Sequence, residues 1–140
     1  SAPASAKSKG YVFKYKGISV TMNGAAKKLI KKAGKPSKKT VKKSCAYKGK
    51  DRTYTYKDFQ LKTYSKTNNG AEYVSEIRFR SNKAVTKEGI RIGSSLKAVT
   101  KKYGKAKARF GVYTFKKGSS KLQIMLNGNK VSAIRYFASK

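Results

Sequence analysis

Two stretches of nearly the same text close the two halves of this chain: Val74-Ser75-Glu76-Ile77-Arg78-Phe79 and Val131-Ser132-Ala133-Ile134-Arg135-Tyr136. Earlier landmarks recur in the same order. Gly17-Ile18-Ser19-Val20 is echoed by Gly89-Ile90-Arg91-Ile92, and Tyr54-Thr55-Tyr56 by Tyr113-Thr114-Phe115. Self-similarity of this kind predicts a tandem repeat of about 60–70 residues, in which each unit needs the other to bury its apolar face. The expected organisation is a tether over 1–10, a first repeat over 11–82 and a second over 83–140.

Each repeat reads as a short helix followed by a meander of strands. Ala26, Leu29, Ile30 and Ala33 fall at helical spacing among lysines, which predicts a helix over about 24–33. Gly34 and Pro36 then stop it. Ser94 or Ser95 as N-cap, Leu96, Val99 and Tyr103 inward, and Gly104 as terminator predict the second helix over about 94–103. Helices this short need a sheet to pack against.

Beyond them the period is two. Leu122, Ile124 and Leu126 alternate with Gln123, Met125 and Asn127. Tyr73, Ser75, Ile77 and Phe79 are expected on one face, Val74, Glu76, Arg78 and Arg80 on the other. In the second repeat Ser132, Ile134 and Tyr136 alternate with Val131, Ala133, Arg135 and Phe137. Asn68-Asn69-Gly70, Lys117-Gly118-Ser119 and Asn127-Gly128-Asn129 supply the turns. The expected fold is α+β: two tandem helix-plus-meander repeats forming an antiparallel sheet, with short helices on one face and solvent on the other.

Charge narrows the partner. Thirty-six Lys and Arg face five acids, Asp51, Asp58, Glu72, Glu76 and Glu88, for a formal charge of +31. Such a chain repels itself, which favours a monomer, and attracts polyanions. Only six cations are Arg, so the surface favours diffuse attraction over bidentate readout. Apolar content of 38% and aromatic content of 11% set it apart from a disordered basic tail.

Catalysis and metal binding find little to work with. There is no histidine and one cysteine, Cys45, so a disulfide framework and a zinc site are excluded. Cys45 falls in the alternating run Ser44-Cys45-Ala46-Tyr47 and is expected as a small buried residue in a strand. Asp51 and Asp58 flank a strand, where turn capping and local neutralisation of lysine are expected of them. Gly-Ile-Arg-Ile-Gly at 89–93 lacks the spacing of a phosphate loop. No enzyme activity, cofactor or metal is expected. No run approaches the length of a membrane span. The small, Pro-containing start, Ser1-Ala2-Pro3-Ala4-Ser5-Ala6, suits a tether left after signal-peptide removal.

The run Gly89-Ile90-Arg91-Ile92-Gly93-Ser94-Ser95-Leu96, a short helix ending Tyr103-Gly104-Lys105 and a three-stranded meander together resemble the superfamily of β-lactamase inhibitor proteins and small outer-membrane assembly lipoproteins. The segment from Ser44-Cys45-Ala46-Tyr47 through Tyr54-Thr55-Tyr56 more closely resembles secreted lipoproteins of Gram-positive bacteria. The resemblance covers roughly 11–138, and its motifs are structural. It implies a tandem-repeat fold, export and a lipid-anchored Cys preceding Ser1. It carries no catalytic residues.

One face of the sheet is the expected site. Arg78 and Arg135 take equivalent outward positions, joined by Lys62, Arg80, Tyr64 and Phe137, with Gln123 and Met125 alongside. Cations interleaved with aromatics on an open sheet resemble a polyanion-binding platform for nucleic acid or glycan; an ordinary solvated face would look the same. The function expected is a non-enzymatic, extracytoplasmic envelope protein, secreted or anchored, held to anionic wall polymers or lipid headgroups. Alternatives are nonspecific nucleic-acid binding through the basic face and, by fold analogy, protein inhibition.

Overall fold

The computed structural model describes residues 10–139. The tether lies outside the described residues except for Gly10, which is buried against Ser120 and the Lys117 carbonyl, leaving no room for a side chain. The next residue fixes the chain there: the Tyr11 amide donates to Ser120 Oγ at 2.8 Å.

Eleven elements follow. They are β1 (Val12–Tyr15), β2 (Ile18–Thr21), α1 (Lys27–Ala33), β3 (Lys38–Lys43), β4 (Lys50–Thr55), β5 (Phe59–Ser65), β6 (Glu72–Phe79), α2 (Leu96–Tyr103), β7 (Val112–Lys117), β8 (Ser120–Asn127) and β9 (Lys130–Ala138). Seven strands form one antiparallel sheet in the order β3-β4-β5-β6-β9-β8-β7, while β1 and β2 form a separate hairpin. The protein is therefore an α+β fold of antiparallel sheets with two short helices.

Strand alternation builds the core. On β5, Phe59, Leu61, Thr63 and Ser65 are buried, while Gln60, Lys62 and Tyr64 face outward and stay partly exposed. Leu122 and Ile124 on β8 do the same. Over this inner face lie Phe13 and Val20 from the hairpin, Leu29 from α1, Val99 from α2, and Ala84 and Ile90 from the segment between β6 and α2. Phe13 is the keystone, its ring 5.3 Å from Phe59, 5.6 Å from Phe79 and 6.4 Å from Tyr136. The hairpin went unpredicted by the repeat pattern, which used Gly17-Ile18-Ser19-Val20 only as a landmark.

Both helices stop where glycine permits it, at Gly34 (φ +78°) and Gly104 (φ +88°). Their beginnings differ. Ser95 caps α2 by accepting from the Ala98 amide at 3.1 Å, whereas Ala26 before α1 offers no side-chain cap. The main chain does the same work at both starts. Asn23 N donates to Val74 O, Val74 N to Gly24 O and Ala26 N to Glu72 O, at 2.7, 2.9 and 3.0 Å. Gly93 N donates to Val131 O, Val131 N to Ser94 O and Leu96 N to Asn129 O, each at 2.8 Å.

Three expectations need correction. The strict alternation on β6 and β9 fails because each strand carries a bulge. The register jumps between Lys62 and Thr63 opposite Glu76 and Val74, and between Met125 and Leu126 opposite Ala133 and Val131. Ser75 and Ser132 are the extra residues, so Val74 and Val131 turn inward with Ile77 and Ile134 instead of outward. Cys45 is not a core residue. It is exposed in the loop between β3 and β4, and Ser44 is buried instead, its hydroxyl accepting from the Ala46 and Tyr47 amides. That turn satisfies locally the backbone groups a strand would have paired. Finally, among the described residues the two halves are unequal in strands: nothing answers β1–β2 ahead of α2, or β3 between α2 and β7.

Candidate functional site

The outward face of the sheet is organised in rows set by strand register. Arg78 on β6 pairs directly with Arg135 on β9. Outward from that pair, Arg78 pairs with Gln60 and Gln60 with Thr55; on the other side Arg135 pairs with Gln123 and Gln123 with Thr114. Six strands thus present Thr-Gln-Arg-Arg-Gln-Thr, the same read from either end. The glutamines are held alike: Gln60 Nε2 donates to Thr55 Oγ1 at 3.2 Å and Gln123 Nε2 to Thr114 Oγ1 at 3.4 Å. Gln60, Thr55 and Thr114 were not among the predicted site residues, because the pairing that aligns them exists only once the strands are in register.

Two like charges opposite each other destabilise a ladder. Glu76 resolves the conflict. Its carboxylate accepts from Arg78 Nη2 at 3.1 Å and from Arg135 Nη1 at 3.2 Å, and it is the more covered partner, with 14% of its side chain exposed. Arg135 is further fixed by donating from Nε to Gln123 Oε1 at 2.7 Å and by lying 4.4 Å over the Phe137 ring. The arginine pair is therefore a braced element sharing one anion, and its guanidinium edges are partly occupied.

The other predicted residues spread away from it. Lys62 stands opposite Glu76 and Phe137 lies on its other side, in the next row. Tyr64 is two residues further along β5; its hydroxyl donates to Asn23 Oδ1 at 2.9 Å, and its ring stacks on Tyr47 at 5.1 Å. Arg80 lies beyond the opposite end of β6 and donates to the Tyr56 carbonyl. A groove of about 590 Å³ gathers Lys62 and Tyr64 with Lys42, Asp51, Thr53 and Tyr47. A smaller hollow of about 280 Å³ gathers Arg78 and Arg135 with Gln123, Met125 and Ala133. The six predicted residues share a face without sharing a pocket.

Three of the five acids are spent on hydroxyl groups. Glu72 accepts from Tyr54 and Thr63 at 2.7 Å each, Glu88 from Tyr103 at 2.7 Å, and Asp58 from Ser81 at 2.7 Å. Among the described residues both ion pairs belong to Glu76, and none involves a lysine. Asp58 is thus used on a hydroxyl and not on a lysine, while Asp51 stands opposite Lys42 across β3 and β4 and lines the groove with Lys62. Lysines with a close neighbour rest on tyrosine rings: Lys39 over Tyr54, Lys117 over Tyr11, and Lys66 over Tyr47 and Tyr73. Burial, with the carboxylates beside them, pushes the hydroxyls of Tyr54 and Tyr103 far above their usual value, so both stay neutral donors. Burial likewise takes Tyr56 up to about 12.

Among the described residues no three Cys, Asp or Glu side chains gather as a metal site, and no helix is long and apolar enough to cross a membrane. Comparison with known protein families, with characterised proteins and with solved structures finds no match.

Proposed function

We propose that this chain is a non-enzymatic binding protein that holds anionic polymers through a diffuse coat of lysine, on a scaffold made of two tandem copies of one helix-plus-strands unit. The observation that carries the function is the use of the acids. Four of the five serve Tyr, Thr, Ser and Arg, and among the described residues no lysine ammonium group forms an ion pair in the fold. An uncompensated surface of this kind lowers its energy by exchanging small counterions for a polyanion, with little dependence on geometry.

The duplication is supported by the repeated main-chain bonds, by bulges at Ser75 and Ser132, and by the symmetric row through Arg78 and Arg135. The bonds pair Asn23 with Gly93, Gly24 with Ser94 and Ala26 with Leu96, each 70 positions apart. That spacing matches Val20 with Ile90 and Met22 with Ile92, two residues away from the alignment suggested by the Gly-Ile landmarks. The resemblance to exported lipoproteins in 44–56 and 89–96 supports a place in the cell envelope, with wall polymers or lipid headgroups as the polyanion. Fractionating cells that express the natural precursor tests this; recovery in the cytosol would exclude it.

Titration against heparin over a range of salt tests the diffuse reading. Affinity should fall steeply and linearly on a log–log plot. Replacing Arg78 and Arg135 together by Ala should weaken binding no more than replacing any two exposed lysines. A much larger loss from the arginine pair, or a preference for one nucleic-acid sequence over heparin, would replace the diffuse coat with a specific site.

A further inference from the structure

Residues 109–112 form a two-residue turn, with Arg109 N donating to Val112 O at 2.9 Å and Val112 N to Arg109 O at 3.0 Å. Its centre is Phe110-Gly111, both left-handed, at φ +53° and +76°. Such turns favour Asn, Asp or Gly at the first position, and a bulky residue with positive φ is uncommon. Phe110 is nevertheless there, and 98% exposed. The fold gains nothing from a ring that touches solvent on all sides, and it bears the strain of holding that ring at the tip.

What surrounds the ring indicates its use. Lys107 and Arg109 line the same hollow as Phe110 and Val112. Val112 pairs with Met125, 45% exposed, and Met125 with Ala133, so an apolar strip runs inward from the tip. The other half places Asp51 two residues before Thr53, as Phe110 stands before Val112, and has Thr53, Lys62 and Glu76 in the row itself. The apolar strip is thus particular to one half.

We propose that the Phe110 turn inserts into the surface of an anionic bilayer, with Lys107 and Arg109 at headgroup level and Met125 at the edge of the contact. This rests on the charge-driven reading above for the approach and adds the lipid as the ligand. A bilayer interface accepts an aromatic tip and its flanking cations together, because rings and ammonium groups partition to the boundary while acidic lipids supply the counter-charge. A second copy of the chain brings no counter-charge, since it carries the same +31.

The absence of Trp from the chain allows a clean test, since Phe110→Trp supplies a single reporter. Sonicated phosphatidylcholine vesicles with and without phosphatidylglycerol are the probe, and heparin is the soluble control. Tip insertion predicts a blue shift of Trp emission and quenching by brominated acyl chains with the anionic vesicles only. Phe110→Ala should cut partition into those vesicles about tenfold or more, leaving heparin affinity unchanged. Equal vesicle binding by Phe110→Ala and the parent protein would overturn insertion while sparing the charge reading. Failure of the parent protein to bind heparin or vesicles would remove both. A blue shift that grows with protein concentration in the absence of lipid would assign the tip to a second copy and overturn the proposal.

Discussion

At matching register positions the two halves carry opposite chemistry. Just before its bulge the first presents Thr53, Lys62 and Glu76, and the second Val112, Met125 and Ala133. Inward from these rows the halves agree: Leu29 and Val99 on the helices, Ile77 and Ile134 on the central strands, Phe79 and Tyr136 beside them, all buried. Packing constrains the inner face of a sheet while the outer face answers to solvent, so the inner residues match in type and the outer ones are free to differ. What distinguishes the halves is therefore the chemistry of the outer face.

The largest expected effect tests the shared interior. Leu29→Ala should lower stability by about 3 kcal/mol and Val99→Ala by about 2 kcal/mol, read from urea denaturation midpoints. Both are fully buried, on helices whose starts are tied to the sheet by the same bonds. If either change were silent, that helix would lie outside the core and the equivalence would fail. Next comes Glu76→Gln, which keeps the shape and removes the shared anion. It should cost about 1–2 kcal/mol, because Arg78 and Arg135 then face each other unbraced, and it should tighten heparin binding. Ala133, across the symmetric row, offers no such bracing, and Ala133→Ser should leave both quantities unchanged.

How far the text of the chain carries can be seen in the same residues. The helices and the strands β6, β8 and β9 follow from period and glycine placement, and the paired arginines follow from the repeated Val-Ser-x-Ile-Arg text. The bulges do not, because Val-Ser-Glu-Ile fits a regular strand as well as a bulged one, and only the pull of Val74 and Val131 toward a formed core decides. Cys45 was misplaced for a related reason: Ser44-Cys45-Ala46-Tyr47 alternates, yet its backbone bonds close locally through the Ser44 hydroxyl. Glu76 passed as one scarce acid among five, since its role depends on two arginines that meet only across β6 and β9. Phe110 carries no periodic signal at all; a lone aromatic before glycine reads as a turn, and its exposure is a property of the folded surface.

A smaller effect separates the two helix starts. Ser95→Ala removes the one side-chain cap and should cost about 1 kcal/mol. The first helix follows Ala26, fully buried, with no side-chain cap to lose. A loss well above this would mean that Ser95 also supports the adjoining bridge to Lys130.

The smallest change is a gain, and it makes the halves more alike. Tyr56 has a buried hydroxyl without a hydrogen-bond partner, and it stands where the other half has phenylalanine, Phe115. An unpaired buried hydroxyl costs desolvation that Phe does not incur. Tyr56→Phe should raise stability by about 0.5–1 kcal/mol at neutral pH. Alkaline pH provides an independent check on Tyr56. Burial first, with the charge of Glu72 behind it, raises its folded pKa from 10 to about 12, so the unfolded chain ionises this hydroxyl before the folded one does. Its contribution is intact below pH 10 and is lost as pH climbs toward 12. The advantage of Tyr56→Phe over the parent protein should consequently widen across that window, in thermal melts taken at matched pH. A constant advantage would mean that the hydroxyl finds water in solution, and that the second half's phenylalanine at this position reflects shape and not dryness.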